Sequence, residues 1–253
     1  MPTNIKESGL ESLIVSHLVN AGGYEMGDNA DYDRTHAVDV SRLFRFLKST
    51  QPDEFAKIGA ESELGRQKFL DRVQGEVAKR GIVDVLRKGL QAYPAKFDLF
   101  YQTPSEKNET AKERFDKNVF SVTRQLQFSA DQTRLALDMC LFINGLPVIT
   151  FELKNSFTKQ SVDDAVRQYQ NDRDPRELLF QFKRCMVHFA VDDVRVKFCT
   201  RLNGKGSWFL PFDKGHNDGA GNPVNPHGLK TAYLWEDILR KRSLADIIEN
   251  YAQ

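Results

Sequence analysis

Three polar residues, Asp138, Glu152 and Lys154, interrupt two of the most apolar segments of the chain. Those segments, Arg134 to Ile143 and Leu146 to Lys154, read as strands, and Asn144-Gly145 between them is a strong signal for a tight hairpin. A buried charge left without its partner costs on the order of 3–5 kcal/mol, so the three must be satisfied by one another or by a bound cation. If they converge, the hard oxygens of Asp138 and Glu152, with the backbone carbonyl of Leu153, suit octahedral Mg²⁺, or Mn²⁺ in its place, better than zinc. Such an ion polarises a phosphodiester and activates water. Lys154, on the face of Glu152, is then placed to orient the attacking water or to stabilise charge on phosphorus. The plainer alternative is a Glu-Lys pair on a solvated strand face beside an unrelated Asp, which short motifs often produce by accident. Strands apolar on both faces weigh against it, because they are normally interior, where an idle Lys is rare.

Strand parity sets a condition on convergence, since side chains alternate faces and directly opposite residues share one. With a plain two-residue Asn144-Gly145 turn, Asp138 falls opposite Phe151 and points away from Glu152 and Lys154. A three-residue loop, or a one-residue bulge of the kind Gly145 permits, moves Asp138 onto the face of Thr150, Glu152 and Lys154. The reading therefore predicts an irregularity in this hairpin.

The elements that must position these residues are legible as a change of period along the chain. Residues 1–95 read as helical: a capping-box pattern at Ser8-Gly9-Leu10-Glu11, then amphipathic spacing over Asp39 to Lys48 and Glu61 to Arg80, with Gly81 as a C-terminal cap. Residues 96–202 turn to strands at Phe97 to Tyr101, Val119 to Phe128, the central pair, Cys185 to Val191 and Val194 to Cys199. One helix, capped by Ser161 and Asp164 and striped by Val162, Ala165, Val166 and Tyr169, is inserted between them. Residues 203–253 form a Gly/Asn/Pro-rich extension and a terminal helix over about Tyr233 to Tyr251. This is an α/β or α+β chain: one structural domain, with a central mixed sheet flanked by helices.

Composition narrows the class without naming it. At 253 residues and 40% hydrophobic the chain buries a full core, and nothing approaches the ~18 apolar residues of a membrane span. The start lacks the apolar stretch of a secretory signal, so the cytoplasm is the expected location. Cys140, Cys185 and Cys199 form no C-x-x-C pair and read as reduced core thiols. A net charge of +1 decides nothing about nucleic acid.

Asp138 with Glu152-x-Lys154, each on an apolar strand, resembles the PD-(D/E)xK nuclease pattern, and the surrounding residues extend the likeness. Phe120 to Gln125, Asn144 to Pro147, Phe151 to Asn155, Gln168-Tyr169, Asp172 to Pro175, Val187 to Asp192, Phe209 to Phe212 and Gly219 to Pro223 are similar to the amino-terminal nuclease domain of type I restriction enzyme R (HsdR) subunits. The resemblance covers nearly the whole chain. It implies a restriction-endonuclease-like core, Asp138 and Glu152 as metal ligands and Lys154 as the catalytic lysine. It also implies Gln168 as the supporting glutamine of the RecB-like branch, although Asp172 stands where a tyrosine often follows. The partners implied are duplex DNA and the modification and specificity subunits of a type I complex. ATP would serve only a motor domain, whose Walker sequence is missing from these residues. The competing class is a catalytically silent nuclease-fold module that binds DNA or docks subunits.

Other residues carry weaker signals. Glu11 reads first as a helix cap and second as a further metal ligand. Arg124, Arg167 and Arg173 are candidates for phosphate contacts with DNA. His188, on an apolar strand, reads as a satisfied core histidine, and Asn203 to Ser207 as a tight turn. If the terminal helix connects to a motor, its apolar face of Ile238, Leu239, Leu244, Ile247 and Ile248 should be partly exposed.

Overall fold

The computed structural model describes residues 7–105, 108–156 and 159–252. Helix α1 (Glu7–Asn20) buries Leu10, Ile14 and Leu18. It is followed by a short strand β1 (Glu25–Met26) and a ribbon of β2 (Tyr32–Asp33) with β3 (Val38–Asp39). Asp39 caps α2 (Val40–Thr50), its carboxylate accepting from the Arg42 backbone N–H at 2.9 Å. Helices α3 (Pro52–Lys57), α4 (Glu63–Arg80) and α5 (Ile82–Lys88) follow, with Gly81 at φ 85° ending α4 as expected. Strands β4 (Leu90–Ala92) and β5 (Ala95–Phe97) form a separate hairpin. The strand expected to run on to Tyr101 stops at Phe97, because Gln51 takes both the N–H and the carbonyl of Asp98 with its side chain.

After α6 (Glu109–Phe115) the chain enters the main sheet through β6 (Phe120–Gln127), β7 (Ala136–Ile143) and β8 (Leu146–Leu153). Helix α7 (Val162–Asn171), with the Ser161–Asp164 capping box, crosses over to β9 (Val187–Val191). Strands β10 (Val196–Cys199) and β11 (Leu210–Pro211) complete seven strands in the order β1-β6-β7-β8-β9-β10-β11. The β1–β6 and β8–β9 pairs are parallel and the rest antiparallel, so the sheet is mixed, as the α/β reading requires. One face, carrying Met139, Leu141, Ile149 and Phe151, packs on the large core that includes the amino-terminal helices. The other, carrying Cys140 and Phe142, packs on Tyr169 of α7 and on Phe180.

The central hairpin resolves the parity condition in an unexpected place. Its connection is the plain two-residue turn, with Ile143 opposite Leu146 and φ of 51° and 82° at Asn144 and Gly145. Phe142 pairs with Pro147, but Leu141 pairs with Ile149, leaving Val148 as an extra residue on β8. The irregularity exists, three residues beyond the turn where Gly145 was expected to supply it. Pro147 explains the site, because a proline in a central strand cannot donate to the ladder and is accommodated at a bulge. Beyond the bulge Met139 faces Phe151, and the same register continued by one residue sets Asp138 opposite Glu152.

The turn itself is buried and clamped. Asn144 donates from its side chain to the Leu99 carbonyl and to Asn118, and accepts from the Val119 N–H; the Gly145 carbonyl accepts from Asp39 at 2.8 Å. A Cβ on Gly145 would stand 2.4 Å from the Asp39 carbonyl oxygen and 2.6 Å from the Leu43 nitrogen. Gly145→Ala should cost about 1–2 kcal/mol from the left-handed backbone alone, with the clash adding to it. Urea denaturation checks this, and an unchanged midpoint would contradict it.

The carboxyl-terminal segment differs from expectation. In place of one helix it is a π-type turn over Leu234–Ile238, α8 (Lys241–Asp246) and a second π-type turn over Ile247–Tyr251. Leu239, Leu244 and Ile248 are buried on the core, and the face expected to be partly exposed is so at Ile238 and Ile247, which are half-buried. Tyr24 donates to the Leu239 carbonyl and Arg87 to that of Ile248, tying the segment to the amino-terminal part. Among the described residues no helix is long and apolar enough to cross a membrane.

Candidate active site

The bulge brings two acids onto the α7 face of the sheet. Asp138 accepts the Leu153 backbone N–H at 2.7 Å. Glu152, fully buried, accepts from Arg173 Nε at 2.6 Å through Oε1, while its Oε2 is buried with no hydrogen-bond partner. Burial first, and the charge of Asp138 second, push the Glu152 carboxyl up to about 8, against the pull of Arg173 and Lys154. Lys154, the residue after β8, is 8% exposed, and its backbone N–H donates to Val191.

These residues are chemically suited to a hard divalent cation. Two opposed carboxylates, one of them with a buried oxygen that makes no hydrogen bond, present hard donors to a cation, and oxygen donors alone exclude a preference for zinc. Among the described residues no third His, Cys, Asp or Glu joins them in a cage. That agrees with Mg²⁺, which is held by one or two carboxylates and keeps several waters or phosphate oxygens.

Glu11 lies close by without converging. It is 5% exposed, paired with Arg124 and accepting from Gln125 Nε2 at 2.7 Å, so its carboxylate serves the sheet rather than the helix end. Helix α1 already includes Ser8, whose side chain lies outside the described residues. Gln168 is half-buried on α7, and among the described residues no hydrogen bond joins its side chain to either acid.

The three arginines expected to contact DNA part company. Arg167 is exposed and paired with Asp164, and Arg124 is half-exposed beside Glu11 and Ser12. Arg173 points inward: 5% exposed, it binds Glu152 and the Ala136 carbonyl and lies over the Phe128 ring. Its place as a phosphate contact is therefore corrected to that of a buried counter-ion. The apolar stripe of α7 carried this information, for Val162, Ala165 and Tyr169 lead at helical spacing to position 173, and an arginine on a buried stripe demands a buried acid.

Beneath the acids the sheet is polar but satisfied. Thr150 hydrogen-bonds Tyr169 at 2.8 Å and His188 Nδ1 at 2.7 Å. His188 is a satisfied core histidine, as expected, and burial pushes its pKa down to about 3. The folded protein thus keeps His188 neutral where the unfolded chain, at 6.5, takes a proton. Stability from this residue is complete above pH 6.5 and falls by about 1.4 kcal/mol per unit below it, down to about pH 3. The difference in unfolding free energy between the wild type and His188→Asn should change by that amount between pH 6 and pH 5, whatever other groups add to both, and a difference independent of pH would contradict it. Cys140, Cys185 and Cys199 are free and buried, and Asn203 to Ser207 is a turn closed by the Ser207 hydroxyl on the Gly204 carbonyl.

The profile of the family described as type I restriction enzyme R protein N terminus matches residues 4–207, a span that contains the whole site. A chain of Methanocaldococcus jannaschii, provisionally named the MjaVIIIP endonuclease subunit of a type I restriction enzyme, is 24% identical over 146 residues. That alignment takes in 54% of this chain and 12% of the relative. By the extent of the profile match, the chain belongs to the family of type I restriction enzyme R protein amino-terminal domains.

Proposed function

We propose that this chain is a Mg²⁺-dependent endonuclease domain that hydrolyses phosphodiester bonds of duplex DNA, with Mn²⁺ able to substitute. The observation that carries the reading is the Val148 bulge, which sets Asp138 opposite Glu152, a residue whose buried Oε2 makes no hydrogen bond. Asp138 and Glu152, with the Leu153 carbonyl, would hold the ion, whose chemistry is to polarise the scissile phosphate and lower the pKa of water. Lys154 orients the attacking water and stabilises the charge that builds on phosphorus. Arg173 holds Glu152 in place from behind. Nothing in this arrangement reads a base edge, so contact with DNA is to backbone phosphates and cleavage has no sequence preference of its own.

Within a cytoplasmic R subunit, base recognition would then belong to a specificity subunit, methylation to a modification subunit, and ATP use to a motor outside these residues. End-labelled duplex DNA, single-stranded DNA and RNA, each incubated with the domain and Mn²⁺ or with EDTA, test the substrate class. Metal-dependent cleavage of the duplex across unrelated sequences is expected. Cutting confined to RNA or single strands, or undiminished by EDTA, would overturn the reading.

A further inference from the structure

Gln125 lies in the middle of β6 with φ 45°, a left-handed conformation that a non-glycine residue adopts at a cost of about 1–2 kcal/mol. On either side of it the ladder to β7 is regular, with Arg124 opposite Met139 and Leu126 opposite Leu137, which puts Gln125 level with Asp138. The distortion is held from outside the sheet. Where β1 has ended, the Asn29 side chain takes over its pairing, donating to the Arg124 and Gln125 carbonyls at 3.3 and 3.2 Å and accepting from the Gln127 N–H at 2.8 Å. Backbone strain that a neighbour maintains in this way is characteristic of functional positions.

What the strain secures is the place of one carboxamide. Gln125 Nε2 donates to Glu11 Oε2 at 2.7 Å and lies 3.5 Å from Asp138 Oδ1, the oxygen opposite the one bound by Leu153. Glu11 is in turn gripped by Arg124. A chain of contacts thus runs from α1 through Gln125 to Asp138.

We propose that Gln125 is a positioning residue, which fixes the Asp138 carboxylate against Glu152 and couples it to Glu11. The role rests on the metal-dependent reading above. It also accounts for Glu11, a buried acid that anchors the amide that orients one of the two ligands. Outer partners of this kind set metal affinity by about 10–100-fold.

The test uses Gln125→Gly, which relieves the left-handed strain as it removes the amide, and Gln125→Ala, which removes the amide and keeps the strain. Mn²⁺ binding is read from the loss of the free-ion paramagnetic resonance signal, with thermal unfolding measured in EDTA. Both variants should bind Mn²⁺ at least tenfold more weakly than the wild type, and Gln125→Gly should unfold no earlier. Wild-type Mn²⁺ affinity in both variants, with Asp138→Ala failing to bind, would overturn the role of Gln125 and leave the site standing. Absence of binding in the wild type would overturn the site and this role together.

Discussion

Lys154→Met should reduce cleavage of duplex DNA at saturating Mn²⁺ by about 10²–10³-fold, the size of effect seen when a single charge-stabilising donor is removed from a transition state. The substitution keeps the apolar stem that a residue 8% exposed needs for packing, so the fold should survive. Mn²⁺ affinity should hold or tighten, because the Lys154 charge acts on Glu152 in the direction a cation does and competes with it. A loss confined to the rate, with binding intact, separates a transition-state role from a structural one. Equal loss of metal affinity and rate would instead make Lys154 part of the scaffold. Initial rates of plasmid nicking over a range of Mn²⁺ concentrations measure both.

The largest effect on stability is expected from Arg173→Met. This change strands Glu152 in a site where burial and Asp138 already oppose its charge. In EDTA the deficit should depend on pH with a defined sign. A carboxyl raised to about 8 in the folded state, from 4.5 when unfolded, loses stability as pH rises between those values. Without Arg173 the folded value moves higher still, so the two proteins lose stability in parallel below about pH 8 and separate above it. Near pH 6 the variant forfeits a hydrogen bond to a charged group, about 1.5–3 kcal/mol. Near pH 9 the uncompensated carboxylate brings the deficit to about 3–5 kcal/mol. Arg173→Met with Glu152→Gln should recover most of the alkaline excess. Urea denaturation at the two pH values decides it, and a deficit that grows toward acid would contradict the account.

Much of this architecture was legible in local chemistry. The hairpin, the α4 cap at Gly81, the capping box of α7 and the core position of His188 follow from period, propensity and polarity, and the structure has them all. The trio of Asp138, Glu152 and Lys154 was visible because charge in apolar strands is costly. Three features lay beyond that reasoning. The bulge was expected at Gly145, yet Asn144-Gly145 is held by Asp39, Leu99 and Asn118, contacts made by distant segments, so the slip moves to Pro147, where the ladder is already broken. Arg173 was grouped with surface arginines because its partner lies on another element, although the helical stripe ending at Tyr169 pointed inward. The strain at Gln125 carried no local signal, since it is held by Asn29, in the 3₁₀ turn that follows β1 almost a hundred residues earlier in the chain.

The terminal segment shows the same limit from the other side. Its apolar spacing was correctly seen, but spacing does not say which surface will cover it. The structure packs Leu239, Leu244 and Ile248 on the core and leaves Ile238 and Ile247 half-buried.

The central claim is that Asp138 and Glu152 share one divalent cation across a bulged hairpin. Isothermal titration of Mn²⁺ into the wild type, Asp138→Ala and Glu152→Gln tests it most directly. The account predicts saturable binding near one equivalent in the wild type and no measurable heat in either variant. Absence of heat in the wild type, or equal heat in all three, would contradict it.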